Sequence, residues 1–352
     1  MSATHWYSRP TARQWSCTPV DGRAGVFHRG LAGYAPTPLV EVPQIADRLG
    51  VGHAYVKHEA SRLGLPAFKV LGASYAIHRA LDEAPSDVST LVTATDGNHG
   101  HAVARMAKRS GLSARVFVPK GVDPVVVAAI RGEGADVEVL DAAYDDTVAR
   151  AASAAESPEC LLIQDTAWPG YERVPGWIVE GYETLLEEID AQLGSDGVPG
   201  PDLVAVPVGV GSLAQAVVRH YRSGGRSPSV LSVEPDAAPC TVESLGAGAP
   251  VTVETASTSM AGLNCGTLSS LAWPVLRDGL DAAIAIGDDE TAVAIDELAA
   301  AGVAAGPSGA ASLAGTTAAL GTSARRDDLE IDASSTVVLL VTEGPLQGRG
   351  HK

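Results

Sequence analysis

The sequence predicts an α/β protein of two open, mostly parallel sheets with helices on both faces. Three observations predict this. Short apolar runs alternate with helix-length segments along most of the chain. The runs are apolar nearly throughout, as strands covered on both faces are. Several runs end in glycine or polar turns that open a helix, and ligands of α/β sheets bind at such carboxyl ends.

Each element follows in order. TPLVEV (Thr37–Val42) is a short strand that joins the larger block of the chain. A helix follows Lys69. STLVTAT (Ser89–Thr95) is a buried strand, and HGHAVARMAKRSG (His99–Gly111) a helix closed by glycine. Then come the strand ARVFVP (Ala114–Pro119), a helix over Pro124–Arg131, the strand DVEVL (Asp136–Leu140), a helix over Tyr144–Ala155 and the strand CLLIQD (Cys160–Asp165). These predict a small domain over 72–168. A long helix over Glu172–Leu193 opens the second block. It continues with strands at Leu203–Gly211, Ser229–Pro235, Ala282–Ile286 and Thr336–Gly344, and with helices at Asp288–Ala301 and Ser308–Leu320. The larger domain is therefore discontinuous, 1–71 and 169–352. TATDGN, QDTAW, VGVGS and VTEG all fall at strand ends, which predicts a site in the cleft between the domains.

Composition narrows the function. A chain of 352 residues with 45% hydrophobic content suits two domains. A formal net charge of −17 argues against nucleic acid, whose phosphates attract Lys and Arg. No stretch approaches the ~20 apolar residues of a membrane span, and the N-terminal MSATHWYSRPTARQWS has no apolar signal segment. The expected location is the cytoplasm. Cys17, Cys160, Cys240 and Cys265 lie far apart, without CxxC or HExxH, so no metal site is expected. Cys240 and Cys265 share the larger block and are expected to approach each other, as reduced thiols rather than as a disulfide.

The candidate chemistry lies in four motifs. PVGVGSLA (Pro207–Ala214) follows a strand and opens a helix, so its backbone N–H groups suit a phosphate. It also reads G-x-G-x-x-A, with Glu234 lying 25 residues after Gly209, so an NAD-binding reading competes. That reading gives Lys69, Asp96 and Asp165 no work. Lys69 follows Phe68 at the mouth of a helix. Apolar neighbours and a helix N-terminus both disfavour its ammonium, which predicts a lowered pKa suited to a Schiff base. Asp165, with Trp168 and Tyr171, suits recognition of a small cation. VTEG (Val341–Gly344) ends the last strand on a hydroxyl and a carboxylate. Glu59 and Arg62 read as a solvated face.

A tuned lysine, a glycine phosphate cradle and a Gly-Asn turn match the needs of pyridoxal phosphate. On VKHEASRLGLPAFKVLGASYA, TATDGNHGHAVA, QDTAWPGYERVPGWIVEGY, VGVGSLA, SMAGLNCGT and VTEG, spread over 34–344, the chain resembles the fold-type II pyridoxal-phosphate enzymes, the tryptophan synthase β-like group. Within that group it is most similar to the diaminopropionate ammonia-lyases. Serine and threonine dehydratases of the group usually carry Ser or Thr, not Asp, before Gly-Asn-His. The chain departs from the group's pattern at His58, where an acidic residue is usual, and in AAGPSGA (Ala304–Ala310), which lacks the group's glutamate.

The resemblance implies elimination of ammonia from 2,3-diaminopropionate by a homodimer, with pyridoxal 5'-phosphate as cofactor. It implies Lys69 as the Schiff-base lysine, Asn98 on the cofactor's ring oxygen, Gly209, Val210, Gly211, Ser212 and Leu213 around the phosphate, and Thr342 at the pyridine nitrogen. Asp96 and Asp165 line the substrate side. A carboxylate at Asp96, raised toward neutrality by burial, would be a competent base for the D-isomer, with Lys69 serving the L-isomer. The alternatives are serine or threonine dehydration or β-replacement by the same residues, a non-catalytic pyridoxal-phosphate carrier, and the NAD-binding protein.

Overall fold

A computed structural model describes residues 5–84 and 87–345. Its strands, in chain order, are β1 (Trp6–Ser8), β2 (Leu39–Glu41), β3 (His53–His58), β4 (Thr90–Ala94), β5 (Ser113–Pro119), β6 (Asp136–Leu140), β7 (Cys160–Leu162), β8 (Leu203–Pro207), β9 (Ser229–Pro235), β10 (Ala282–Ile286) and β11 (Thr336–Val341). They form two sheets, ordered β1-β10-β9-β8-β11-β3-β2 and β6-β5-β4-β7. The smaller sheet is wholly parallel. In the larger, only the edge strands β1 and β2 run antiparallel to their neighbours. β8, β9, β10 and β11 are buried along their whole lengths; β8, β10 and β11 are apolar almost throughout, while β9 also buries Ser229, Ser232 and Glu234.

β3 went unread because HAYVKH carries charge in its interior. It pairs in register with β11 from His53 to His58, beside the core. Lys57 is fully buried and donates to Glu188 at 2.7 Å, to Gln192 at 2.8 Å and to the Thr37 carbonyl at 2.8 Å. Glu188 also takes Arg62 through both carboxylate oxygens, at 2.6 and 2.7 Å. Arg62 in turn forms a fork with Glu59 at 2.6 and 2.8 Å. Arg62 and Glu59 are both 0% exposed, so the expected solvated face is instead a buried ion network. The polar partners explain the correction, because each charge is matched and hydrogen-bonded where water is excluded. The network holds the chain at Glu59–Arg62, seven residues ahead of Lys69.

The helix Val70–Glu83 starts immediately after Lys69 and packs on the long helix Arg173–Ser195. Two glycines make the contact close. A Cβ on Gly181 would lie 2.6 Å from the Leu71 carbonyl oxygen, and one on Gly72 would lie 2.6 Å from the Tyr182 ring. The lysine-bearing helix therefore seats against the large block with little freedom to shift. No helix among the described residues is long and apolar enough to cross a membrane.

All four cysteines are free, and Cys240 and Cys265 are buried. These two meet the same residue rather than bonding. The Cys240 Sγ lies 3.9 Å from the Gly209 carbonyl oxygen, and a Cβ on Gly209 would lie 3.1 Å from the Cys265 Sγ.

Candidate active site

The site begins where the smaller sheet ends. β4 leads into Thr95, whose hydroxyl accepts the Gly97 N–H at 2.9 Å and the Gly100 N–H at 3.0 Å. These bonds fold the turn and start the helix Asn98–Arg109. Gln164, just past β7, ties the neighbouring strand end to this turn. Its Oε1 accepts from Ala94 N at 2.9 Å and Thr93 Oγ1 at 3.1 Å, and its Nε2 donates to Asp165 Oδ1 at 3.4 Å. Asp96 and Asp165 thereby stand at neighbouring strand ends, close enough to act on each other.

Lys69 reaches in from the other block. Its Nζ donates to Asp165 Oδ2 at 2.6 Å and lies 5.5 Å from the centre of the Phe68 ring. Burial disfavours the ammonium, as expected from the sequence, but Asp165, Tyr182 and Asp96 outweigh burial and raise the Lys69 pKa. The expected lowering is thus reversed, because the sequence does not show that a carboxylate sits on the amine. Burial likewise disfavours the Asp165 carboxylate, yet Lys69 and His99 prevail and lower it to about 2. Asp96 has no such direct side-chain partner among the described residues. Burial raises it to about 6, with Asp165 and Glu343 adding to the rise and Lys69 opposing it.

Asn98 donates through Nδ2 to Glu343 Oε2 at 2.5 Å. Glu343 also accepts from Ser308 N at 3.1 Å and forms a bridge with Ala67, so it joins the turn, the last strand and the Lys69 segment. Burial raises the Glu343 pKa against the pull of Ser308 and Asn98. Thr342, 4% exposed, accepts the Phe68 N–H through its carbonyl at 3.2 Å. His58, one of the two departures noted from sequence, donates to the carbonyl of Ala304 at 2.8 Å, so the two departures contact each other.

The glycine loop lies beneath. Val208 ends the run after β8, and the helix Ser212–Arg222 begins with Gly211 at φ 93°. A Cβ on Gly209 would stand 3.1 Å from the Gly262 carbonyl oxygen, so a side chain there would crowd its neighbours. The first N–H groups of the helix have no intrahelical acceptor. Ser212 Oγ donates to the Asp165 carbonyl at 2.7 Å and couples the loop to the acid. Leu213 is buried behind the loop. Glu234, the acid an NAD site would use, is 0% exposed and accepts from Thr241 N at 2.9 Å and Val242 N at 2.7 Å. Both its oxygens are committed to a helix start, so the NAD reading loses its ribose partner.

Of the residues named from sequence, the structure brings Lys69, Asp96, Asn98, Asp165, Thr342 and Ser212 of the glycine loop near one another. The aromatic wall is less simple. Trp168 and Tyr171 stack at 4.5 Å, but the Tyr171 hydroxyl donates to the Leu162 carbonyl and accepts from Gln164 N at 2.9 Å each. Tyr171 thus braces the strand end. Gln164 and Glu343 lay inside quoted motifs, though neither was given a role. Tyr182 closes the stretch QDTAWPGYERVPGWIVEGY, but in the long helix Arg173–Ser195 its spacing does not separate it from the packing residues around it.

The residues fit pyridoxal phosphate on three counts: a glycine loop, close-packed at Gly209 and left-handed at Gly211, that opens a helix; a half-buried lysine amine held by Asp165; and unpartnered polar atoms near that pair. His99 Nδ1 and the Tyr182 hydroxyl are buried with no hydrogen-bond partner among the described residues.

A family model described as pyridoxal-phosphate dependent enzyme matches residues 31–343. Diaminopropionate ammonia-lyase of Salmonella typhimurium is 38% identical over 288 residues, covering 74% of this chain and 71% of the relative. The crystal structure of diaminopropionate ammonia-lyase from Escherichia coli with D-serine superposes with a TM-score of 0.90 at 32% identity, over 98% of this chain and 95% of that one. The same enzyme with an aminoacrylate-PLP azomethine reaction intermediate gives 0.88 at 33%, over 98% and 94%.

Proposed function

This chain belongs to the pyridoxal-phosphate-dependent enzymes, and on that premise we propose that it eliminates ammonia from 2,3-diaminopropionate, yielding one pyruvate and two ammonia. Fold-type II architecture and an ammonia-lyase activity go together in its relatives. The observation that carries the substrate assignment is the Asp165–Lys69 contact. Asp165 stays ionised down to about 2 and already binds an ammonium at 2.6 Å. A 3-ammonium substrate presents the same group, which serine lacks.

The cofactor, when bound, supplies an electron sink for the pair left at the substrate's Cα. The chain's own residues do the rest. Lys69 would carry the cofactor and take the α-proton of the L-isomer. The 209–213 loop would hold the phosphate through backbone N–H groups and the helix N-terminus. Asn98 would donate to the ring oxygen, turning from Glu343 or sharing its amide with it. Thr342 would meet the pyridine nitrogen with a neutral hydroxyl. Such a hydroxyl does not hold that nitrogen protonated as a carboxylate would, which favours elimination over transamination. Asp96 would take the α-proton of the D-isomer from the face opposite to that used by Lys69. The D-serine complex of the Escherichia coli relative supports a pocket of this kind. The larger domain, 1–71 and 169–352, would hold the cofactor, and 72–168 would close over the substrate. The enzyme would act in the cytoplasm as a homodimer, and sedimentation of the purified enzyme checks the assembly.

Asp165→Asn tests the substrate assignment. A charge-assisted hydrogen bond contributes about 1.5–3 kcal/mol, so kcat/KM for diaminopropionate should fall about 10- to 100-fold. Serine turnover should fall far less. Equal losses for the two substrates would make Asp165 a structural residue.

A further inference from the structure

His99 has no role in the chemistry described so far, yet one of its nitrogens lies beside the acid that chooses the substrate. Its Nε2 is 2.8 Å from the Ile163 carbonyl oxygen. A carbonyl only accepts, so Nε2 carries the hydrogen, and in the neutral ring Nδ1 is then a bare acceptor. Nδ1 is buried, lacks a partner among the described residues, and lies 3.9 Å from Asp165 Oδ2. That is the same oxygen to which Lys69 donates at 2.6 Å, while Asp165 Oδ1 is engaged by Gln164 at 3.4 Å.

We propose that His99 is a specificity-determining residue, whose unprotonated Nδ1 accepts one N–H of the substrate's distal ammonium while Asp165 Oδ2 accepts another. The inference rests on diaminopropionate being the substrate, and deepens that reading. Two acceptors facing each other across 3.9 Å repel unless a donor with several hydrogens joins them. An ammonium carries three. In this structure the Lys69 ammonium holds the place beside Oδ2. A lysine that first carries the cofactor and then serves as base at the α-carbon would leave that place to the substrate's distal ammonium. The charged groups facing His99 are Asp165 and Lys69. Burial and Lys69 oppose protonation of the ring, Asp165 favours it, and the net direction is downward.

The arrangement also selects the leaving group. As the Cβ–N bond breaks, its electron pair goes to nitrogen, and the group departs as ammonia with the three hydrogens it brought. It needs no further proton. A hydroxyl must gain a proton to leave as water, and neither an Asp165 carboxylate nor a bare Nδ1 provides one. A hydroxyl also has only one hydrogen for two acceptors.

Two substitutions separate this role from packing. His99→Gln can keep a donor to the Ile163 carbonyl but has no acceptor at the Nδ1 position. His99→Asn can keep the acceptor and loses the donor. We expect H99Q to lower kcat/KM for diaminopropionate about tenfold or more, with L-serine changed by less than about threefold. H99N should retain more diaminopropionate activity than H99Q. The opposite order, or parallel losses for both substrates, overturns the proposal. In holoenzyme labelled with ¹⁵N-histidine, the ring signal missing from H99Q should show the neutral Nε2–H tautomer across neutral pH, and an imidazolium there overturns it. Wild type that consumes serine and ignores diaminopropionate would instead refute the functional reading itself, and this proposal with it.

Discussion

Replacing Lys69 with alanine is expected to abolish turnover of every substrate and to remove the near-visible absorbance of the purified enzyme. Two losses combine. The side chain that would carry the cofactor is gone, and so is the base for the L-isomer, which alone is worth about 10²–10⁴ in rate. The substitution also strips Asp165 of its partner at 2.6 Å, which leaves a buried carboxylate uncompensated. Lys69→Arg serves as the control, since it retains a cation for Asp165 yet cannot form the cofactor linkage. Borohydride reduction of wild type followed by peptide mapping should label Lys69. Lys57 is an unsuitable carrier because its amine is fully buried and bonded to Glu188, Gln192 and a carbonyl. Lys120 is exposed and paired with Asp141 at 2.8 Å. A label on either would contradict the assignment.

Asp96→Asn is expected to divide the two stereoisomers. On the proposed roles, Lys69 would approach the substrate's α-carbon from one side, and a D-isomer would turn its α-proton to the other. A carboxamide there cannot accept a proton, so D-2,3-diaminopropionate turnover should fall about 10²–10⁴-fold, with much of the L-activity spared. The pH profile provides a second readout. Burial holds Asp96 at about 6, so the base is charged and active above that value. D-turnover should therefore be lost as pH falls through about 6, the L-isomer should lack that inflection, and the inflection should vanish in the variant. Equal loss of both isomers would make Asp96 an organiser of its turn.

The sheets were legible where burial was complete. The apolar runs of β8, β10 and β11 are buried throughout and leave little choice of face or pairing; β4 and β5 are buried except near their starts, and β9 buries Ser232 and Glu234 among its apolar residues. β3 was not legible, because Lys57 is buried only by virtue of Glu188, which comes 131 residues later. Arg62 likewise depends on Glu188, 126 residues later, and carries the nearby Glu59 into the same buried network. Motifs placed the site residues at strand ends, but their protonation depended on contacts across the fold. Lys69 and Asp165 are 96 residues apart, and their contact reverses the expected pKa shift. Glu234 illustrates the converse. Its spacing from Gly209 suggested a ribose, and only the helix start at Cys240–Ala247 shows where its oxygens go.

The most direct test is a product balance on purified holoenzyme given L- or D-2,3-diaminopropionate. One pyruvate and two ammonia should appear per molecule consumed, from both isomers, with serine a much poorer substrate. Pyruvate from serine with none from either diaminopropionate isomer would contradict the assignment of an ammonia-lyase whose acids recognise a distal ammonium.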